Sequence, residues 1–187
     1  MKKDYAVLEV DERMTPKIFP YVRPDILVVT NIFRDSYRRN AHTEFIADIL
    51  DSSIPEGTKL VLNGEDLLTS HLAKGNERVC FGIKTGDEEG INTDNIIRDN
   101  RACPVCGSLI DFEYIRYNNI GRGKCPRCGY SSLPMNYVVK EIDEEKGRLR
   151  ASTPQGEIDV KLLGHNITDA YNSVTAIAAL MEAGLSA

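Results

Sequence analysis

Residues 103–107 read Cys-Pro-Val-Cys-Gly, and residues 125–129 read Cys-Pro-Arg-Cys-Gly. A two-residue gap lets both thiolates of one tight turn face the same ion, and two such turns complete a tetrahedron with Zn–S distances of about 2.3 Å. The glycine after each pair suits a turn that requires a positive φ. This spacing predicts a four-cysteine zinc ribbon. Its metal ligands would be Cys103, Cys106, Cys125 and Cys128.

Two disulfides, or a redox-active CxxC motif, are the competing interpretations of these four cysteines. The chain shows no secretory-signal pattern and has a single further cysteine, Cys80, which argues against disulfides. The matching prolines and glycines of the two pairs argue against a redox motif. A site closed by four protein ligands has no open coordination position, so we expect its metal to be structural rather than catalytic.

The composition is that of an ordinary globular protein. The 187 residues suit one domain with a small insertion. The net charge of −5 argues against nucleic-acid binding. No apolar run approaches the roughly 18 residues that a membrane-spanning helix needs, so we expect no transmembrane segment. We therefore expect a cytoplasmic protein with reduced thiols.

Outside the ribbon, the apolar pattern predicts strands that alternate with helices. The predicted strands are Tyr5–Val10, Pro24–Asn31, Thr58–Asn63, Arg78–Ile83, Tyr137–Ile142, Arg148–Ala151 and Glu157–Leu163. The predicted helices are His42–Asp51, with Phe45, Ile46, Ile49 and Leu50 on one face, a short one from Gly64 to about Leu72, and Ile167–Ala183. Between the cysteine pairs, Ile110–Tyr117 reads as a strand and residues 118–123 as a turn.

This order predicts an α/β fold: a mainly parallel sheet with helical crossovers, plus the inserted four-cysteine zinc ribbon. We assign residues 1–101 and 130–187 to the α/β domain and residues 102–129 to the ribbon. The Pro24–Asn31 strand is apolar on both faces, as parallel strands are. It ends in Thr30-Asn31, where open α/β sheets bind their ligands.

Several stretches together resemble the central domain of the Mur ligases, most closely the MurT branch, whose members carry a zinc ribbon. In chain order they are Val7-Leu-Glu-Val-Asp-Glu12, Val29-Thr-Asn-Ile-Phe-Arg-Asp35, Leu60-Val-Leu-Asn-Gly-Glu-Asp66, Phe81-Gly-Ile83, the ribbon, and Tyr171-Asn172 at the start of an alanine-rich helix. The resemblance covers almost the whole chain. It implies the Mur ligase central-domain fold.

The resemblance also implies a function in peptidoglycan biosynthesis. In the family, the central domain binds ATP and magnesium, the acceptor carboxylate becomes an acyl phosphate, and an amine attacks it. For the MurT branch, the implied acceptor is the D-glutamate α-carboxylate of lipid II or a muropeptide. The implied nitrogen source is ammonia from a GatD-like glutamine amidotransferase subunit, so the implied assembly is a heterodimer.

Four residues carry over to family roles. Glu9 matches the magnesium-binding glutamate, although an edge strand with Glu9 facing water explains the same carboxylate. Asn172 matches the asparagine that contacts adenine; a capping role near a helix N-terminus is the alternative. Thr30 and Asn31 would lie at the nucleotide end of the sheet. Asn63 and Asp66 would shape a turn there.

The chain also departs from the family pattern. It contains no GxxxxGK[ST] phosphate loop, which in the family precedes the first matched strand, and the family's C-terminal domain would follow its last helix. Ser36, Arg38 and Asn40 stand where the MurT pattern places Gln, Asp and Tyr. Near the last helix, either Asn166 or Asp169 could fill the place of the first family asparagine.

We therefore expect an ATP-dependent carbon–nitrogen ligase that works as part of a larger or two-subunit enzyme. Without a phosphate loop to cradle the β- and γ-phosphates, the chain alone is expected to be inactive. The alternative is a catalytically degenerate, zinc-stabilised scaffold or docking module.

Overall fold

The computed structural model describes residues 4–33, 42–84, 86, 90–92, 101–162, 164 and 166–185. Three helices and eight strands are found in this part of the chain, with two 3₁₀ turns at Glu12–Met14 and Thr69–His71. The helices are α1 (Thr15–Ile18), α2 (Thr43–Ser53) and α3 (Ile167–Glu182). The strands are β1 (Ile26–Val29), β2 (Lys59–Asn63), β3 (Arg78–Ile83), β4 (Asp111–Tyr117), β5 (Ile120–Lys124), β6 (Tyr137–Asp143), β7 (Arg148–Thr153) and β8 (Gly156–Lys161).

Six of the strands form one sheet in the order β1-β2-β3-β6-β7-β8. In this sheet, β1, β2, β3 and β6 are parallel to one another, and β6, β7 and β8 form an antiparallel meander. The predicted α/β class with a mainly parallel sheet is confirmed. Helical crossovers are less regular than predicted: α2 joins β1 to β2, but a 3₁₀ turn lies between β2 and β3, and the ribbon lies between β3 and β6.

The core lies on both faces of the sheet, because the parallel strands are covered on each side. On one face, α2 packs Ile46, Ala47 and Leu50 against Leu60 and Leu62 of β2. On the other face, α3 packs against the sheet. The buried residues of that face include Val61, Phe81, Val139, Leu149, Ala170, Val174, Ile177 and Ala178.

Three predictions about exposure and pairing are wrong. Residues Tyr5–Val10 form no strand, and Val7 is 97% exposed, because the structure pairs this segment with no described strand. The first strand is less buried than predicted: Ile26 and Leu27 pack against opposite cores, but Val28 is exposed, and β1 lies at the edge of the sheet formed by the described residues. On α2, Phe45 is exposed, because the buried face is rotated toward Thr43 and Ala47.

The strand and turn predicted between the cysteine pairs form the β4–β5 hairpin. Its turn is shorter than predicted, with Asn118 at φ +47°, and the residues from Ile120 onward belong to β5. Gly121 is needed in β5, because a Cβ there would lie 2.9 Å from the Cα of Ile115. Among the described residues, no helix is long and apolar enough to cross a membrane.

Candidate metal centre and carboxyl edge of the sheet

The four predicted zinc ligands converge on one point. The sulfur atoms of Cys103, Cys106, Cys125 and Cys128 all lie within 4.8 Å of one another. Two of the Sγ–Sγ distances, Cys103–Cys128 and Cys106–Cys125, are 3.5 Å. A tetrahedron with metal–sulfur bonds of about 2.3 Å has edges of roughly 3.8 Å. The thiols therefore fit a tetrahedral metal ion, and all four are free of disulfides.

The two CxxC turns have the same backbone design. The amide of Gly107 donates to the carbonyl of Cys103 at 2.9 Å, and that of Gly129 donates to Cys125 at 3.0 Å. Both glycines have a positive φ, +71° and +77°, as the sequence predicted. The amide of Val105 lies 3.4 Å from the Cys103 sulfur. Each turn thus holds its two sulfurs toward the shared centre.

Two cysteines of the cluster have pKa values shifted in opposite directions. A hydrogen bond from the Ser108 backbone lowers the pKa of Cys106 to about 6. Burial and hydrogen bonds with the other three cysteines raise the pKa of Cys128, although a hydrogen bond from the Tyr130 backbone opposes this shift. Thiolates, not thiols, bind metal, so Cys106 would lose its proton more readily than Cys128 when a metal binds. Cys80 lies apart from this cluster: it is buried in β3, where burial raises the pKa of its thiol to about 11.

The second candidate site is the carboxyl edge of the parallel sheet. Thr30 and Asn31 follow β1 directly, as predicted, and Thr30 is exposed. The buried Asn63 closes the end of β2, and its Nδ2 donates to the Thr30 carbonyl at 3.0 Å. The predicted turn role of Asn63 agrees with its second contact, because its Oδ1 accepts from the Glu65 amide at 2.9 Å.

Asp66 is fully buried and supports the same edge. Its carboxylate accepts from the backbone amides of Ile32 and Leu68 at 2.8 and 2.9 Å. Asn119, at the hairpin turn, also hydrogen-bonds this carboxylate and lies 3.4 Å from the Ile32 carbonyl. Burial raises the pKa of Asp66 to about 6, although these hydrogen bonds oppose the shift.

Glu65 is also fully buried, and its carboxylate binds groups from three elements. Its Oε1 accepts from the Tyr114 hydroxyl and lies 2.6 Å from Nη1 of Arg116, both on β4. Its Oε2 accepts from the Ile83 amide and from the Tyr171 hydroxyl of α3, each at 2.8 Å. Gly82 leaves room for this carboxylate, since a Cβ at that position would lie 2.6 Å from Oε2.

Asn172 stands on the exposed face of α3, next to Tyr171. The helix runs antiparallel to β2, because Tyr171 contacts Glu65 beyond the end of β2 and Glu182 pairs with Lys59 at its start. This orientation puts the first turns of α3 at the carboxyl edge of the sheet, where Thr30 also lies. The capping role suggested for Asn172 is wrong. Asn166 is the N-cap residue, in a reciprocal capping box with Asp169.

Glu9 lies in the exposed segment before the first 3₁₀ turn rather than in a strand. Before Glu9, the Tyr5 hydroxyl donates to the Ala183 carbonyl at 3.4 Å and holds the segment near the end of α3. After Glu9, the Thr15 hydroxyl accepts a hydrogen bond from the Ser53 hydroxyl at the end of α2. Both contacts lie at the amino edge of the sheet. Ser36, Arg38 and Asn40 lie outside the described residues.

Sequence reasoning missed the cluster formed by Glu65 with Tyr114, Arg116 and Tyr171, the Glu65 cluster. Its partners are 49, 51 and 106 residues away along the chain, so no local pattern joins them. One signal was present: two adjacent carboxylates, Glu65 and Asp66, directly follow an apolar strand. Buried carboxylates require partners, which the tyrosines and the arginine of the β4 pattern could supply.

The comparison with solved structures identifies the fold as that of the Mur ligases. The pseudomurein peptide ligase type C from Methanothermus fervidus matches 91% of this chain and 33% of its own, with a TM-score of 0.72 and 22% identity. MurF from Acinetobacter baumannii matches 97% of this chain and 30% of its own, with a TM-score of 0.54 and 16% identity.

The sequence comparison confirms the more specific resemblance to MurT. The chain is 30% identical over 187 residues to the lipid II isoglutaminyl synthase (glutamine-hydrolyzing) subunit MurT of Staphylococcus aureus (strain COL). It is 31% identical over 188 residues to the Streptococcus pneumoniae (strain ATCC BAA-255 / R6) subunit of the same name. It spans 41% and 39% of the lengths of these relatives. No protein-family model matches the chain.

Proposed function

We propose that this chain is the central-domain part of a MurT-like, ATP-dependent ligase subunit in peptidoglycan biosynthesis. The ligase would amidate the D-glutamate α-carboxylate of lipid II with ammonia from a GatD-like glutamine amidotransferase subunit. The observation that carries the proposal is the identity of 30–31% to MurT, which extends over 95–99% of this chain. The TM-score of 0.72 to a peptide ligase supports the fold alone.

The reaction would activate the acceptor carboxylate with ATP as an acyl phosphate, which ammonia then attacks with loss of phosphate. Within this chain, the nucleotide would bind at the carboxyl edge of the sheet, as ligands of open α/β sheets do. Thr30 and Asn31 offer hydroxyl and amide groups there. Asn63 holds the Thr30 carbonyl, and Asp66 holds the amide of the next residue, Ile32. Asn172 would pair through its amide with the adenine ring. Glu9 is not part of this site, because the contacts of Tyr5 and Thr15 hold its segment at the amino edge of the sheet.

The metal at the four cysteines would be zinc, in a structural role. Four thiolates satisfy a tetrahedral zinc ion and leave no position for a substrate. Leu67, Ile110 and the partly buried Tyr130 pack around the cysteines, so the centre joins the ribbon to the loop after β2. The proposed boundaries remain 102–129 for the ribbon, with residues 1–101 and 130–187 as the α/β domain.

Titration calorimetry of the 187-residue chain with ATP and magnesium tests the nucleotide site. We expect micromolar binding, and Asn172→Ala should weaken it about tenfold, because one paired amide contributes roughly 1–1.5 kcal/mol. Lys161→Ala is the matched control, since Lys161 is an exposed residue of the edge strand β8 and should leave the affinity unchanged.

No binding at millimolar ATP would overturn a nucleotide site formed by this chain alone. Such a chain would instead be a zinc-stabilised scaffold or docking module, and mixing it with the glutaminase partner would then test docking directly. Binding that Asn172→Ala leaves unchanged would move the adenine site away from α3 while preserving the proposed activity.

A further inference from the structure

We infer that Glu65 is a positioning residue whose carboxylate couples the four-cysteine ribbon to the N-terminal half of α3. Metal bound at the cysteines would thereby hold the helix segment that carries Asn172 against the carboxyl edge of the sheet. The inference rests on metal binding at the cysteines, which is part of the proposed function, and it requires no nucleotide.

The β4–β5 hairpin is joined directly to the metal site. Strand β4 follows the first CxxC pair, and β5 ends at Lys124, directly before Cys125. At the base of the hairpin Asp111 pairs with Lys124, so the metal site and the hairpin share one end. An ion that holds both cysteine turns together therefore fixes the register from which Tyr114 and Arg116 extend.

Glu65 links the hairpin to the sheet. Tyr114 and Arg116 both bind Oε1 of Glu65, and the Gly121 amide of β5 donates to the Glu65 carbonyl at 2.7 Å. The side chain of Glu65 is fully buried and that of Arg116 is 9% exposed. Separating a buried ion pair leaves an unpaired charge and strongly destabilises the folded state, so the Glu65–Arg116 contact resists separation.

Separate contacts hold the two ends of α3. At the N-terminal half, the Tyr171 hydroxyl donates to Glu65 and accepts from Arg116. At the C-terminal end, Glu182 accepts from the Tyr137 hydroxyl at 2.5 Å and pairs with Lys59. Only the first set reaches the ribbon. Loss of the ribbon's order should therefore loosen one half of the helix and spare the other.

Hydrogen exchange measured by mass spectrometry tests this asymmetry on the whole chain. The chain is loaded with one equivalent of zinc, confirmed by elemental analysis, and compared with the metal-free chain. We expect zinc removal to speed exchange at least tenfold in residues 170–175 and less than twofold in residues 178–182. The Asn172 side chain takes no part in the coupling, so Asn172→Ala should show the same zinc-dependent exchange as the wild type.

Two variants separate the coupling from general stability. Tyr171→Phe removes one hydroxyl and leaves Glu65 bound to Tyr114, Arg116 and the Ile83 amide. In this variant, exchange in residues 170–175 should already be fast with zinc bound and should no longer respond to its removal. The matched control is Tyr137→Phe, which cuts the corresponding contact at the other end and should preserve the zinc response of residues 170–175.

Equal acceleration of both halves of α3 on zinc removal would overturn the inference, because it would mean that the domain simply unfolds. An unchanged zinc response in Tyr171→Phe would overturn it as well. A chain that takes up no zinc would also refute it, and elemental analysis identifies that failure separately. Failure of ATP binding alone would leave the coupling intact.

Discussion

Replacing Gly82 with alanine should destabilise the protein through Glu65. The new Cβ would lie 2.6 Å from Oε2 of Glu65, closer than carbon and oxygen pack, and it would also collide with the Met135 sulfur. Met135 can swing its flexible end away. The carboxylate cannot, because Oε2 is held by the Ile83 amide and the Tyr171 hydroxyl at 2.8 Å.

The expected loss follows from these contacts. Overpacking a buried site costs about 1–3 kcal/mol, and a weakened hydrogen bond to a charged group costs about 1.5–3 kcal/mol. We expect the free energy of unfolding to fall by about 3 kcal/mol. For a domain of this size, that corresponds to a decrease of roughly 6–12 °C in Tm. Urea unfolding and thermal melting of the zinc-loaded chain measure both quantities.

Two further variants test the reasoning. Gly75→Ala is the control, since a Cβ there meets nothing within 4 Å and Gly75 does not have a positive φ. The free energy of unfolding of this variant should stay within about 0.5 kcal/mol of the wild-type value. Met135→Ala combined with Gly82→Ala removes the collision with sulfur but not the one with Glu65. Recovery of wild-type stability in this double variant would refute the argument, because Met135 would then be the only obstacle.

The protein should bind one equivalent of zinc, and its removal should lower Tm, since metal binding contributes to folding; an unchanged melting curve in the metal-free chain would contradict this. The pKa of Asp66 is raised to about 6 from 3.8, so its protonation favours the folded state. This contribution is full below about pH 4 and is lost as the pH rises through 6, an effect of at most about 3 kcal/mol. Urea unfolding should show this decline in the wild type and not in Asp66→Asn; parallel pH curves would argue against it. Glu9→Gln should leave both magnesium–ATP binding in calorimetry and Tm unchanged, because the Glu9 segment is held at the amino edge of the sheet; a weakened affinity would instead make Glu9 a magnesium ligand.

Local patterns predicted the elements whose causes are local. The CxxC turns depend on two-residue spacings with a following glycine, and their geometry agrees with the prediction. Strand β3 has the predicted bounds, Arg78–Ile83, because a short apolar run bounded by polar residues was sufficient to define it. Helix α3 ends near Gly184, whose φ of +77° is the expected stop signal.

The predictions that failed depend on distant neighbours. The pattern of Tyr5–Val10 suits a strand, but a strand needs a hydrogen-bonded partner, and the described part of the chain pairs this segment with none. Val28 appeared buried because the sequence does not show that β1 lies at an edge of the sheet. Glu65 went unassigned because Tyr171, which binds it, is 106 residues away.

The position of the ribbon between β3 and β6 bears on the order of folding. Strands β6, β7 and β8 pair with their chain neighbours through short turns and can form early. Pairing of β6 with β3 requires closing the long loop that contains the ribbon. Halving a free loop saves only about 0.6 kcal/mol of closure entropy. A metal ion that closes the ribbon early therefore speeds this step little by shortening the loop. Its main kinetic effect would be to present a finished hairpin surface on which β3, β6 and α3 can assemble.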